Sequence, residues 1–226
     1  MENISNSLIV SFVMTSIVTV WLFYKAANDN NKLIYGILAW TILISWLGLS
    51  GFYQVNNVIP PRFIFLLLPG FLLILLLFLT KKGKEFIDSL NLKWMTILHS
   101  VRIPVELILY FIFLSGLIPV HMTFDGYNYD IIPGVTAPIV YYLFFVKKVV
   151  NERFLLFWNF LSLGLLLNIL TIAVLSAQTP FQMLAFDQPN IGVTYFPFIW
   201  LPGIIVPIVL LSMLASIRQL LQKRNM

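Results

Sequence analysis

Residues 63–79 read FIFLLLPGFLLILLLFL, a run in which no side chain can ionise or form a hydrogen bond. As a helix, the run is about 25 Å long, close to the roughly 30 Å hydrocarbon core of a bilayer. The chain has 226 residues, 60% of them hydrophobic and 10% charged. A core of this size cannot enclose so much apolar surface. We therefore interpret the run as a membrane span that faces lipid.

Six more segments of similar length and hydropathy predict an all-α, polytopic transmembrane bundle that forms one domain over residues 1–226. The seven predicted spans are 7–26, 33–53, 62–80, 93–118, 131–147, 153–176 and 192–217. Between them, the loop at 83–93 predicts either a short helix in the membrane interface or a solvated connector.

The basic residues predict the orientation of this bundle. One set of loops carries only Arg62. The other set, with the C-terminal tail, carries twelve basic residues: Lys25, Lys32, Lys81, Lys82, Lys84, Lys93, Lys147, Lys148, Arg153, Arg218, Lys223 and Arg224. By the positive-inside rule, we expect the N-terminus outside and the C-terminus in the cytoplasm, in a multi-pass protein of the cell membrane.

Composition excludes several classes of site and partner. The absence of Cys excludes disulfides and Cys-ligated metal centres, and two histidines are too few for a di-metal site or for haem held by paired helical histidines. A retinal Schiff base needs a Lys in the last span, which has none before Lys223. The net charge of +5 lies in short loops, so it predicts topology rather than nucleic-acid binding. We expect no metal, and the sequence leaves other cofactors and the oligomeric state open.

The fourth span carries a polar stripe, which we define as His99, Arg102, Glu106 and Tyr110. At about 100° per residue, these positions fall within an arc of roughly 80°. A charge at the bilayer centre costs at least about 2.5–3.5 kcal/mol, so this face is expected to point into the bundle. Arg102 and Glu106 could simply neutralise each other at spacing i, i+4 and hold helices together. Alternatively, Glu106 is a ligand-binding or titratable carboxylate, and His99 is a proton relay.

Two loops on the predicted outer side share the pattern Phe-Asp-x-x-Asn, in IPVHMTFDGYNYDIIPG and TPFQMLAFDQPNIGVTYFP. The match suggests that 93–147 and 153–217 are a diverged repeat. Asp and Asn are ordinary turn and helix-capping residues, which is the simpler interpretation. The functional alternative is that the polar residues of both loops converge at the outer mouth on a cation or a polar head group: His121, Asp125, Asn128, Asp130, Asp187 and Asn190.

The stretches MTFDGYNYDIIPGVTAP, FWNFLSLGLLLNIL and PFQMLAFDQPN resemble a family of uncharacterised bacterial seven-span integral membrane proteins. The resemblance covers roughly residues 95–220. It implies a bacterial cytoplasmic membrane and a common fold, and it brings no activity to any residue.

Three functions fit these patterns. The first is the binding or transport of a small solute, ion or lipid through a polar cavity among the fourth, fifth, sixth and seventh spans, lined by the polar stripe. The second is a membrane enzyme that acts on a lipid or lipophilic substrate at the outer interface, with Asp125, Asp187 or His121 as general acid or base. The third is a structural or assembly subunit whose buried charges only hold helices together.

Overall fold

Every regular element is a helix or a helical turn in the computed structural model, which describes residues 4–56 and 58–224. The α-helices are α1 (Asn6–Ala26), α2 (Asn31–Leu49), α3 (Ile64–Leu79), α4 (Lys81–Ser89), α5 (Leu92–Leu98), α6 (Arg102–Leu114), α7 (Ile131–Tyr141), α8 (Glu152–Leu175) and α9 (Val206–Arg224). Short 3₁₀ turns cover Phe52–Gln54, His99–Val101, Val120–Met122 and Gly192–Thr194, and π-turns cover Tyr142–Val146 and Leu201–Ile205.

Five of these helical rods are long and apolar enough to cross a bilayer: Asn6–Ala26, Asn31–Leu49, Leu92–Leu114, Glu152–Leu175 and Leu201–Lys223. A sixth is obtained if α3 and α4, which are bent by 97° at their junction, count as one broken span. The rod Ile131–Val146 is apolar but shorter, and its length of about 24 Å is less than the bilayer core. The fold is thus all-helical with five to six candidate membrane spans.

Polar side chains cap the N-termini of several helices. Asn30, Asn91 and Asn151 are the N-caps of α2, α5 and α8, and each accepts hydrogen bonds from backbone N–H groups of the first turn. Thr80 does the same for α4 by accepting from the N–H of Gly83, which lets α4 begin directly after α3 ends. These caps satisfy backbone donors of the first turn that would otherwise lack a partner, and they fix the residue at which each helix begins.

The rod Leu201–Lys223 is the central element. In its most apolar stretch 67% of the residues are buried within the protein, against 11% for α2. It packs against α3, α5 and α8, and α1 packs against α5 and α6. The sequence predicted this last span at 192–217, and that boundary is wrong. Residues 192–199 form turns, because Gly192 lies against α6 and two prolines, Pro197 and Pro202, each remove a helical hydrogen-bond donor.

The basic loops meet at one end of the bundle, which we call the lysine-bearing end. The side chain of Asn28 donates to the carbonyl of Ser89 at 2.8 Å, and the N–H of Asn91 donates to the carbonyl of Ala26 at 2.8 Å. The two Phe-Asp-x-x-Asn loops lie at the other end, where the N–H groups of Ile191 and Gly192 donate to the carbonyl of Leu117. The sequence predicted that these basic loops and the two Phe-Asp-x-x-Asn loops lie on opposite sides, and the contacts agree with this. The termini, residues 1–3 and 225–226, lie outside the described residues.

The helix α4 fits the prediction of a short helix in the 83–93 loop, although it begins at Lys81 and ends at Ser89. Its side chain Ile87 is fully buried, and its Asp88 accepts two hydrogen bonds from the Arg218 guanidinium of α9, at 2.8 and 2.9 Å. The carbonyls of Ile87 and Leu90 accept from Gln219. α4 is therefore attached to the end of α9 by both packing and charge.

The Asp88–Arg218 pair predicts a small acid-dependent loss of stability. The Arg218 hydrogen bonds hold the pKa of Asp88 below its usual value, so the stabilisation is present above the pKa of an unfolded Asp, roughly 3.9, and is lost as pH falls through the lower folded pKa. Both side chains are partly exposed, so Asp88→Asn should cost about 0.2–1 kcal/mol at pH 7. Denaturant unfolding at pH 7 and below pH 4 should show the cost shrinking in acid. Glu85→Gln, an exposed change on the same helix, should show no cost at either pH.

Candidate functional site

The polar stripe faces inward at three of its four positions. His99, Arg102 and Glu106 are 0%, 2% and 1% exposed. Tyr110 is only half-buried, and its ring stacks on Phe124 of the first Phe-Asp-x-x-Asn loop at 4.9 Å between centroids. The stripe therefore lies inside the bundle over its first two turns and reaches the loops at its last residue.

Arg102 does not pair with Glu106, as its i, i+4 spacing suggested. Its Nη1 donates to Asp130 Oδ1 at 3.0 Å, in an ion pair whose side chains are 3% and 8% exposed. Nη1 also lies 3.4 Å from the carbonyl oxygen of Ser162 on α8, and Nη2 donates to Met213 Sδ on α9 at 3.2 Å. The guanidinium thus extends away from its own helix and joins α6 to the start of α7 and to α8 and α9.

Glu106 is held by Asn128 instead. The Asn128 amide Nδ2 donates to both carboxylate oxygens of Glu106, at 2.6 and 2.7 Å, and lies 3.0 Å from the carbonyl oxygen of Met122. Its Oδ1 accepts from the backbone N–H of Asp130 at 3.0 Å. Asn128 is 0% exposed. The first loop therefore folds inward, and one Asn side chain orients both the carboxylate of Glu106 and the backbone that presents Asp130.

The charges in this cluster do not balance. Arg102, Glu106 and Asp130 are the only Arg, Lys, Asp or Glu residues buried in residues 4–56 and 58–223. Fully ionised, one positive and two negative groups give a net charge of −1. His99 makes no hydrogen bond or ion pair to either carboxylate. Its two ring nitrogens have no hydrogen-bond partner in the described ranges, and its ring packs edge-on against Trp158. A net buried charge is costly, so the cluster favours taking up one positive charge, as a proton or as a bound cation.

A cavity of about 70 Å³ adjoins the two carboxylates. Glu106 and Asp130 line it, and its remaining walls are apolar side chains from α3, α6, α8 and the start of the last rod, among them Leu67, Leu166 and Pro202. The volume exceeds the roughly 10–15 Å³ that one water molecule needs. The sequence predicted a cavity lined by the whole polar stripe, but only Glu106 of that stripe borders this one; His99, Arg102 and Tyr110 do not.

The candidate residues of the outer loops divide into two groups. Asn128, Asp130 and Asn190 are buried, whereas Asp125 and Asp187 are exposed. Asn190 holds the second loop to the end of α8, since its Nδ2 donates to the carbonyl of Ala173 and its N–H to that of Ser176. The His121 ring stacks on Tyr127. The predicted convergence on one outer cation or head group is therefore not observed, because Asn128 and Asp130 are already bonded to α6.

No cluster of three or more His, Asp or Glu side chains that could hold a metal ion occurs in the part of the chain that the structure describes. The two loops nevertheless repeat one arrangement: Phe124 and Phe186 are exposed, and Asn128 and Asn190 are buried. The diverged repeat stays a prediction.

The sequence did not identify two contacts of the guanidinium, the carbonyl of Ser162 and the sulfur of Met213. Neither has a sequence signal, because a backbone carbonyl and a Met in an apolar helix look like ordinary core. The site and the fold define an all-helical protein with five to six candidate spans and a buried, unbalanced charge cluster. No protein-family model, curated protein or solved structure matches the chain.

Proposed function

We propose that this chain is a multi-pass protein of the cell membrane that binds or transports a small cation, with the carboxylate of Glu106 as the binding group. In this proposal the chain crosses the membrane seven times, with α3 and the rod Ile131–Val146 as the two shortest spans and α4 as a helix in the membrane interface. The N-terminus lies outside, and the lysine-bearing end lies in the cytoplasm. The distribution of twelve basic residues against Arg62 supports this orientation.

The observation that carries the proposal is the net charge of −1 beside a cavity. Arg102 is paired with Asp130, and Asn128 orients both oxygens of Glu106 without neutralising them. A monovalent cation or a protonated amine in the 70 Å³ cavity would supply the missing charge. A proton on Glu106 would do the same, so proton and cation compete for one place. Such competition is the basis of exchange in membrane carriers that rely on intramembrane carboxylates.

The competition predicts a cation-dependent stability that increases with pH. We would measure the melting temperature of the detergent-purified protein between pH 6 and 8 in chlorides of sodium, potassium, ammonium and methylammonium, with choline chloride as the ionic-strength control. A cation present at 100 times its Kd should stabilise the protein by about 2.7 kcal/mol. The effect should be larger at pH 8, since fewer protons then occupy the site. The charged neighbours of Glu106 in the cluster, Arg102 and Asp130, form an ion pair with each other, so Glu106 is the group for which proton and cation compete.

Glu106→Gln should remain folded and lose the cation effect, because the amide keeps the shape of the side chain and removes the charge. Glu85→Gln, on the exposed side of α4, should keep it. The proposal fails if no cation of the panel stabilises the natural protein more than choline does. It also fails if Glu106→Gln responds as the natural protein does.

The enzyme hypothesis has less support. It requires at least two of Asp125, Asp187 and His121 to reach one reacting atom, but the two aspartates are exposed and none of the three lines the cavity beside Glu106. A purely structural role predicts instead that Arg102 and Glu106 can be replaced together by uncharged residues with function intact.

A further inference from the structure

A second and larger cavity, of about 550 Å³, lies between α2, α3 and the last rod, away from Glu106 and Asp130. Its volume is within the roughly 300–1,000 Å³ range of small-molecule sites. Its walls are almost wholly apolar, with Trp40, Leu73 and Ile204 among them. The cavity is therefore suited to a hydrocarbon rather than to a polar solute.

The cavity is elongated along the helices. Its lining residues run from Lys32 to Trp40 on α2, from Pro69 to Leu77 on α3, and from Gly203 to Leu211 on the last rod. Each range covers eight helical steps, or about 12 Å. Three helices thus border one channel that is parallel to their axes.

The two ends of this channel differ in polarity. Asn30 and Lys32 lie at one end, near the lysine-bearing end of the bundle, and Phe86 of α4 lies there too. At the other end the Trp40 indole N–H donates to the carbonyl of Gly203 at 2.9 Å, which joins α2 to the last rod. The channel therefore has a basic mouth and an apolar interior that is partly open to the surface of the bundle.

Lys32 is available for an anion. It takes part in none of the ion pairs found among residues 4–56 and 58–224, and its side chain is exposed. The acidic residue nearest to Lys32 in sequence, Asp29, is paired with Lys25 at 2.7 Å. The charge at the mouth is thus not compensated by that carboxylate.

We propose that this channel binds one acyl chain of an anionic phospholipid from the surrounding leaflet, with the lipid phosphate at Lys32. An acyl chain covers the apolar wall, and the phosphate lies at Lys32, the one basic side chain among the described residues of the lining. Basic pockets between membrane helices recognise anionic head groups in this way. This site is separate from the cation site and does not depend on it.

The test is native mass spectrometry of the delipidated protein, titrated with dioleoyl phosphatidylglycerol, dioleoyl phosphatidylcholine or oleate. One phosphatidylglycerol should bind about fivefold more tightly than phosphatidylcholine, the factor expected for one lysine near an anionic lipid. Lys32→Glu should remove this preference, whereas Lys93→Glu, an exposed lysine outside the lining, should keep it. Leu73→Trp should fill the channel and abolish binding. Leu72→Trp, at the adjacent and similarly exposed position outside the lining, should not.

Equal binding of phosphatidylglycerol to the natural protein, Lys32→Glu and Leu73→Trp would overturn the proposal. Oleate that binds as tightly as phosphatidylglycerol would also overturn it, because the occupant would then be a free fatty acid. Size-exclusion profiles report whether each variant folds. If Leu73→Trp does not fold, the exposed Lys32→Glu change decides the matter.

Discussion

Arg102→Met should destabilise the folded protein by about 3–5 kcal/mol, the largest effect expected from any substitution considered for this chain. The change removes the one buried Arg or Lys side chain among residues 4–56 and 58–223, and it leaves Glu106 and Asp130 without a positive partner inside the bundle. Breaking a buried ion pair at one partner costs this much because the remaining charge has no compensation. Denaturant unfolding in detergent micelles, followed by circular dichroism, measures the loss. Arg218→Met removes a partly exposed pair and should cost no more than about 1 kcal/mol.

The triple variant Arg102→Met, Glu106→Gln, Asp130→Asn separates the structural from the functional role of the cluster. With every buried charge removed, it should recover most of the lost stability, because apolar or neutral replacements of buried ion pairs are often neutral. If the cluster is only structural, the triple variant should keep the activity of the protein in the cell; if it binds a cation, it should fold and be inactive. A loss below 1 kcal/mol for Arg102→Met alone would contradict the buried pair itself.

Hydropathy predicted the positions of the helices well where the apolar run and the helix coincide. Six of the seven predicted segments begin within two residues of a helix in the structure, as for 7–26 and α1 or 153–176 and α8. The seventh predicted segment begins at residue 192, nine residues before the rod that it predicts, which begins at Leu201. The residues in between are apolar, with Phe198 and Ile199 fully buried, yet they form turns. Hydropathy measures how apolar the side chains are and carries no information on backbone conformation. Apolar turns that pack against a helix end therefore give the same signal as a span.

The inward direction of the polar stripe was also predictable, since a charge inside a span has few other options. The hydrogen-bond partners of Arg102 and Glu106 could not be predicted. Spacing along a helix shows which side chains are neighbours on the same helix, so it suggested Glu106 for Arg102. The actual partner, Asp130, is 28 residues away and reaches the guanidinium because the loop folds inward. Nothing local distinguishes Asn128 and Asp130, which turn inward, from Asp125, which stays exposed.

The inward loop depends on Gly126, which is the second position where a large effect is expected. A Cβ atom at Gly126 would meet the carbonyl oxygen of Val120 and the Cα of His121, so backbone would have to move. The displaced segment carries Asn128, whose amide holds Glu106. We expect Gly126→Ala to destabilise the protein by about 1–3 kcal/mol, as other insertions into close-packed sites do.

If the loop orients Glu106, the damage from Gly126→Ala should extend beyond stability. The melting temperature of the variant should respond less to the stabilising cation than that of the natural protein, because Asn128 no longer fixes the two carboxylate oxygens. Gly164→Ala is the matched control, since a Cβ at this helical glycine meets nothing within 4 Å. It should leave stability unchanged or raise it by up to about 1 kcal/mol, as Ala is the better helix former. A Gly126→Ala protein as stable and as cation-responsive as Gly164→Ala would show that the loop does not control the site.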